Sequence, residues 1–144
     1  VRVYLPVDRD VLREAHGEGM AGGTETILVV DDDVDQRELI GRGLRSLGYP
    51  ARVVVSGEEA VAYLSRRDAD LVILDMAMPP GIDGAETYRR ILQARPGQRA
   101  IVLSGSAESD RTRAALALGA GAYLRKPVTL ATLARAVRRE LDRV

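Results

Sequence analysis

Residues 27–33 read Ile-Leu-Val-Val-Asp-Asp-Asp (ILVVDDD), and residues 71–75 read Leu-Val-Ile-Leu-Asp (LVILD). Each is a run of aliphatic residues that stops on a carboxylate. The runs are nearly continuous in Val, Ile and Leu rather than alternating with polar residues, which predicts strands covered on both faces, as in parallel sheets. Similar runs follow at 52–55 (RVVV), 100–103 (AIVL) and 122–124 (AYL). The segments between them carry apolar residues at helical spacing: Leu39, Ile40, Leu44 and Leu47, then Ala60, Val61 and Leu64, then Tyr88, Ile91 and Leu92. Ala114, Ala115 and Leu118 form a fourth such face, and Leu130, Leu133, Ala134, Val137 and Leu141 a fifth. Gly48 and Gly119 stand where helices would end.

Strands alternating with helices over residues 26–144 predict an α/β fold, a (βα)5 doubly wound parallel sheet, because right-handed crossovers leave few other arrangements. The natural strand order is the flavodoxin-like 2-1-3-4-5. In that order strands one and three are neighbours, and a crevice opens at their carboxyl ends. Asp31, Asp32, Asp33 and Asp75 therefore converge on one crevice. Helix capping accounts for one or two acidic residues after strand one. Asp75 is not explained that way, since two carboxylates about 5 Å apart repel by roughly 3 kcal/mol at an effective dielectric of about 20. Such a cluster calls for a cation. Oxygen donors without histidine or cysteine favour a hard ion, and two or three carboxylates with open positions suit Mg²⁺ better than zinc or calcium.

Of the 21 basic residues 20 are arginine, and the one lysine, Lys126, directly follows strand five. A compact ammonium reaches a phosphoryl oxygen or a carboxylate where an arginine fork needs more room. Pro127 follows, making Lys126–Pro127 a candidate cis peptide that re-aims the preceding side chain. Ser104 closes strand four and would offer a hydroxyl to an incoming oxyanion.

Composition bounds the function. The 144 residues are 46% apolar and carry 21 basic against 21 acidic side chains, which argues against nucleic-acid binding and against a polybasic membrane contact. Without cysteine there is neither a disulfide framework nor a thiolate metal site, in keeping with a cytoplasmic location. No run approaches the roughly 20 apolar residues of a membrane span. Residues 14–25 hold a glycine-rich stretch of linker composition, and His16 within it reads as a solvated linker residue. Residues 1–13 read as the trailing fragment of an upstream domain. On the last helix Arg135, Arg138, Arg139 and Arg143 are expected to form a solvated face balanced by Glu140 and Asp142.

VVDDD at 29–33, LDMAMPPGIDG at 74–84, Ser104 and LRKP at 124–127 together resemble the receiver domain of two-component response regulators, in order and spacing. The resemblance implies that Asp75 is phosphorylated, that Asp31 and Asp32 with Asp75 and the Ala77 backbone carbonyl bind Mg²⁺, and that Lys126 and Ser104 contact the phosphoryl group. It implies Ser104 and Tyr123 as switch residues, and Asp33 as a helix-start residue outside the acidic pair. The partner implied is a histidine kinase or a histidine phosphotransfer domain, with self-association through the helix 4 to helix 5 face. Two departures stand out: a loop after Asp75 one residue longer than usual, and serine in place of the commoner threonine at 104. The longer loop, with ETYRRIL at 86–92 and PGQRAIVLSG at 96–105, is most similar to the C-terminal receiver of hybrid sensor histidine kinases. VRVYLP at 1–6 is similar to the last strand of a histidine-kinase ATP-binding domain. Such a receiver catalyses its own phosphorylation and dephosphorylation without an ATP site, and kinase activity would belong to the parent. The competing reading is a phosphate-independent interaction module. Flavin binding fits poorly, because three aspartates stand where a phosphate cradle would be needed. A D-x-D aspartyl phosphatase fits poorly as well, because LDMAM lacks the second aspartate.

Overall fold

The computed structural model describes residues 22–77, 82–105 and 110–143. The expected upstream fragment 1–13, most of the expected linker 14–25, and Met78 to Gly81 of the lengthened loop lie outside the described residues. In chain order the elements are β1 (Ile27–Val30), α1 (Val34–Ser46), β2 (Ala51–Val54), α2 (Gly57–Arg66) and β3 (Leu71–Asp75). Then come α3 (Gly84–Ala94), β4 (Ala100–Ser104), α4 (Asp110–Ala117), β5 (Ala122–Arg125) and α5 (Leu130–Asp142).

Helix starts follow from local chemistry. The side chains of Asp33, Ser56, Asp83 and Thr129 accept hydrogen bonds from the backbone N–H groups of Gln36, Glu59, Glu86 and Thr132, satisfying donors that the first turn of each helix leaves open. Gly48 and Gly119 follow α1 and α4 with φ of 98° and 119°, a left-handed backbone that exits a helix at little cost only for glycine.

All strand pairs are parallel and the order is β2-β1-β3-β4-β5, the flavodoxin-like α/β arrangement the sequence predicts. Alternating side chains feed two cores. Ile27, Val29, Ile73, Ile101 and Leu103 face α1 and α5 through Ile40, Leu44, Leu133 and Val137. Leu28, Val30, Leu74 and Val102 face the other layer through Leu64, Tyr88, Ile91 and Ala115. Burial on both faces is why β1 and β3 tolerate no polar residue before their terminal aspartates.

Three expectations are corrected. Strand two starts one residue earlier, at Ala51, and Val55 is exposed. Leu39 and Leu118, expected on buried helical faces, are 56% and 40% exposed. Leu39 sits at the margin of the α1 stripe and Leu118 lies past the end of α4. On α5, Arg138 and Glu140 leave the solvated face. Glu140 is 2% exposed and pairs with Arg143 at 2.7 Å, while Arg138 is half-buried among carboxylates. Among the described residues no helix is long and apolar enough to cross a membrane.

Candidate functional site

Beyond the carboxyl ends of β1 and β3 the chain sets three carboxylates side by side. One oxygen from each of Asp31, Asp32 and Asp75 falls within 4.8 Å of the others, with Asp31 and Asp75 buried and Asp32 exposed. The register explains the convergence: Val30 pairs with Leu74, so the residues that follow leave the sheet at the same height.

Each carboxylate is held differently. Asp31 Oδ1 accepts the Asp33 N–H at 2.9 Å, whereas its buried Oδ2 has no hydrogen-bond partner. Asp75 Oδ1 accepts the Ala77 N–H at 3.2 Å. Lys126 Nζ lies 3.2 Å from Asp75 Oδ1 and 3.6 Å from Asp31 Oδ2. Burial, and next the neighbouring Asp75 charge, push the Asp31 carboxyl up to about 6, against the opposing hydrogen bond from Asp33 and the Lys126 ammonium. One ammonium against three carboxylates leaves the crevice negative. An all-oxygen donor set with an orphaned buried oxygen fits a hard divalent cation.

Lys126 is placed by its backbone, whose N–H donates to the Ser104 carbonyl at 2.8 Å at the end of the β4–β5 pair, and the Lys126–Pro127 bond is cis. Ser104 itself is 6% exposed and ends β4 opposite Arg125. Tyr123 is half-buried, pairs in register with Val102 and packs against the core on the α2–α3–α4 side, not beside the carboxylates. Asp33 caps α1, as expected, and Ala77 joins the site through its amide.

Two contributors are not evident in the sequence. Arg37 Nη1 donates to the carbonyls of Asp31 and Asp32 at 3.4 and 3.3 Å, fixing the turn that carries both; its place one helical turn into α1 is the only signal. At Gly84 a Cβ would meet the Asp75 carbonyl oxygen at 2.6 Å and Met76 Cα at 2.8 Å, so the start of α3 closes directly on the backbone that presents Asp75. Because those neighbours are backbone atoms that cannot swing away, Gly84→Ala is expected to cost about 1–3 kcal/mol in chemical denaturation and to weaken cation binding. A variant as stable as the parent would show that the contact is dispensable.

An apolar groove runs between α1 and the segment after Lys126, lined by Gln36, Leu39, Ile40, Gly43, Pro127 and Leu130. Val34 and Leu39 on the same helix are 54% and 56% exposed.

The response regulator receiver domain family matches residues 27–138. Curated relatives include the transcriptional regulatory protein TcrA of Mycobacterium tuberculosis, 37% identical over 127 residues, covering 85% of this chain and 49% of the relative. The transcriptional activator protein ExaE of Pseudomonas putida is 40% identical over 119 residues, covering 80% and 54%. The chain thus spans about half the length of these relatives. Among solved structures, a CheY-like receiver domain protein from Methanospirillum hungatei superimposes with a TM-score of 0.78 at 28% identity, covering 83% of this chain and 95% of that one. The receiver domain of the sensor histidine kinase PA1611 from Pseudomonas aeruginosa, solved with magnesium in its active-site cleft, gives 0.76 at 30% identity, covering 84% and 100%.

Proposed function

Because the chain belongs to the response regulator receiver family of two-component systems, we propose that it takes a phosphoryl group from a phosphohistidine onto Asp75, with Mg²⁺ held by Asp31, Asp32, Asp75 and the Ala77 carbonyl. The observation that carries this reading is the three-carboxylate cluster with the chain's single lysine 3.2 Å from Asp75 Oδ1.

The residues divide the work. An Asp75 oxygen forms the new bond to phosphorus as the bond from phosphorus to the donor imidazole nitrogen breaks, and that imidazole leaves carrying a proton from solvent. Asp31, closed off from water, stays in place through its bond from Asp33 and would hold the cation with the carboxylate oxygen that has no hydrogen-bond partner. When bound there, Mg²⁺ would supply charge neutralisation to the phosphoryl group, and little further covalent machinery is needed because this transfer is mostly positioning and neutralisation. Lys126, 3.2 Å from Asp75 Oδ1, stands ready to pair with a phosphoryl oxygen once Asp75 is phosphorylated. Ser104, at the adjoining strand end, supplies a hydroxyl for the same oxyanion, and Tyr123 three residues before Lys126 reads out the change on the α4–β5–α5 side. Intact mass after incubation with Mg²⁺ and a small-molecule phosphodonor tests this: one added phosphoryl group is expected. No addition, with Mg²⁺ binding confirmed separately, favours either strict dependence on a cognate phosphohistidine or a phosphate-independent interaction module.

The histidine donor must reach Asp75 past the crevice rim. Val34 and Leu39 are exposed on α1, the helix that follows Asp31 and Asp32, and Leu39 lines the groove that begins at Pro127 directly after Lys126; such an apolar surface suits a helical phosphohistidine domain. Leu39→Glu is expected to slow transfer from a phosphohistidine protein about tenfold or more while leaving labelling by a small phosphodonor unchanged. Equal loss with both donors would place the defect in the site and not in docking. For the parent protein, the likeness of residues 1–6 and of the longer loop to hybrid histidine kinases supports a receiver at the end of such a kinase, and the full-length coding sequence decides between that and a DNA-binding regulator.

A further inference from the structure

Among the described residues outside the crevice, a dense polar cluster surrounds Arg138 on α5. Its Nη2 lies 2.6 Å from Glu25 Oε2 and 2.8 Å from Asp142 Oδ1, its Nε donates to Asp142 Oδ2 at 3.1 Å, and its Nη1 donates to Glu25 Oε1 and to the Gly22 carbonyl, each at 3.2 Å. The Tyr49 hydroxyl completes the shell at 3.4 Å. Glu25 and Gly22 are 113 and 116 residues away in the chain, so one guanidinium fastens the segment entering β1 to the last helix. The same segment closes on the end of α1, where the Gly23 N–H donates to the Leu47 carbonyl at 3.3 Å.

A side chain at Gly22 would collide with backbone, and one at Gly23 would displace the side chains of the cluster itself. A Cβ on Gly22 would stand 1.8 Å from the Leu47 carbonyl oxygen, and one on Gly23 would meet Glu25 Oε1, Arg138 Nη1 and Tyr49 Cε1 at 2.4, 2.5 and 2.8 Å. The glycines of this stretch, which read as flexible linker in the sequence, therefore serve close approach at 22 and 23. Asp142, one turn on from Arg138, pairs with the same guanidinium at 2.8 Å, so release of Glu25 would leave the cation a partner on its own helix.

We propose that residues 22–25 form a strap docked by Arg138, and that α5 carries the state of the phosphorylation site to whatever precedes the strap. The path is short. Lys126 is separated from α5 by three residues, and Arg138 lies about 12 Å further along that helix at 1.5 Å per residue. A shift of Lys126 on phosphorylation of Asp75 would be passed along α5 to the part of the helix that grips the strap. This coupling rests on the phosphoacceptor reading, whereas the docking does not.

Hydrogen exchange followed by NMR separates the two. Arg138→Gln and, independently, Glu25→Gln are expected to speed exchange of the Gly23 amide about tenfold or more, with the Ile27 amide of β1, bonded to the Pro50 carbonyl at 2.9 Å, unchanged as the folding control. An unchanged Gly23 rate in both variants overturns the strap. In the wild type, with phosphorylation verified by intact mass, the Gly23 rate is expected to change at least threefold, and the change is expected to vanish in Arg138→Gln. A phosphorylated wild type with an unaltered Gly23 rate overturns the coupling. Failure to phosphorylate at all overturns the phosphoacceptor reading and the coupling with it, and leaves the strap to be judged by the two variants.

Discussion

Asp75→Asn is expected to lose phosphoryl labelling completely, falling at least about a hundredfold to background, while the domain stays folded. Asparagine keeps the shape of the side chain and an oxygen able to accept the Ala77 N–H, which Asp75 Oδ1 does at 3.2 Å. What it loses is the anionic nucleophile, and an amide at neutral pH does not attack phosphorus at a useful rate. The Lys126 ammonium, 3.2 Å from Asp75 Oδ1, keeps Asp31 Oδ2 as its partner at 3.6 Å, so the variant does not leave a cation without a neighbour. Lys126→Ala, by contrast, is expected to retain Mg²⁺ binding and to slow labelling, because the ammonium acts on charge that appears only as transfer proceeds. Intact mass with a small phosphodonor and Mg²⁺ reads both. Persistent labelling of Asp75→Asn would move the acceptor elsewhere, and Asp32, the exposed member of the cluster, would be the first to examine.

How much of this was legible beforehand depends on where each residue finds its partners. The strand order followed from aliphatic runs that end on carboxylates, because burial on both faces and the handedness of crossovers act on every residue of β1 and β3 at once. The same order put Asp31, Asp75 and Lys126 at one edge without any knowledge of side-chain geometry. Leu39 was misplaced because helical spacing defines a stripe but not its margins. The width buried depends on what packs across from α1, and there the groove beside Pro127 leaves Leu39 uncovered. Arg138 was misread for a related reason. In sequence it is one of four arginines on a charged helix, and only the fold brings Glu25 to it across 113 residues. The buried Glu140 was equally hidden, since it looks like a counter-charge and not like a residue pressed against the backbone of Gly121. The orphaned oxygen of Asp31 leaves no mark in the sequence at all.

That oxygen predicts how stability responds to pH. A carboxyl 1% exposed, with its ionisation pushed up to about 6 from the ordinary value of 3.8, is protonated more readily in the folded than in the unfolded chain. Between those two values the folded state binds more protons, so the Asp31 contribution to stability falls as pH rises through that window and levels off above it. The span is about two units, which bounds the effect at about 2–3 kcal/mol. Asp31→Asn removes the ionisation while leaving an oxygen for the Asp33 N–H, which now reaches Asp31 Oδ1 at 2.9 Å. In the absence of divalent cations the variant is therefore expected to be as stable as the parent near pH 4 and about 2 kcal/mol more stable at pH 7.5, by urea denaturation at each pH. Taking the difference between the two proteins cancels the titrating groups remote from Asp31, the ion pairs of Glu25 and Glu86 included. Adding Mg²⁺ at pH 7.5 should close the gap from the other side, because a ligand that binds only the folded wild type stabilises it in proportion to the logarithm of concentration over Kd. The variant, short of one anionic ligand, should gain little. A stability difference that stays flat from pH 4 to 7.5 would mean that Asp31 ionises without strain and that the crevice is not held in a state of charge repulsion awaiting its cation.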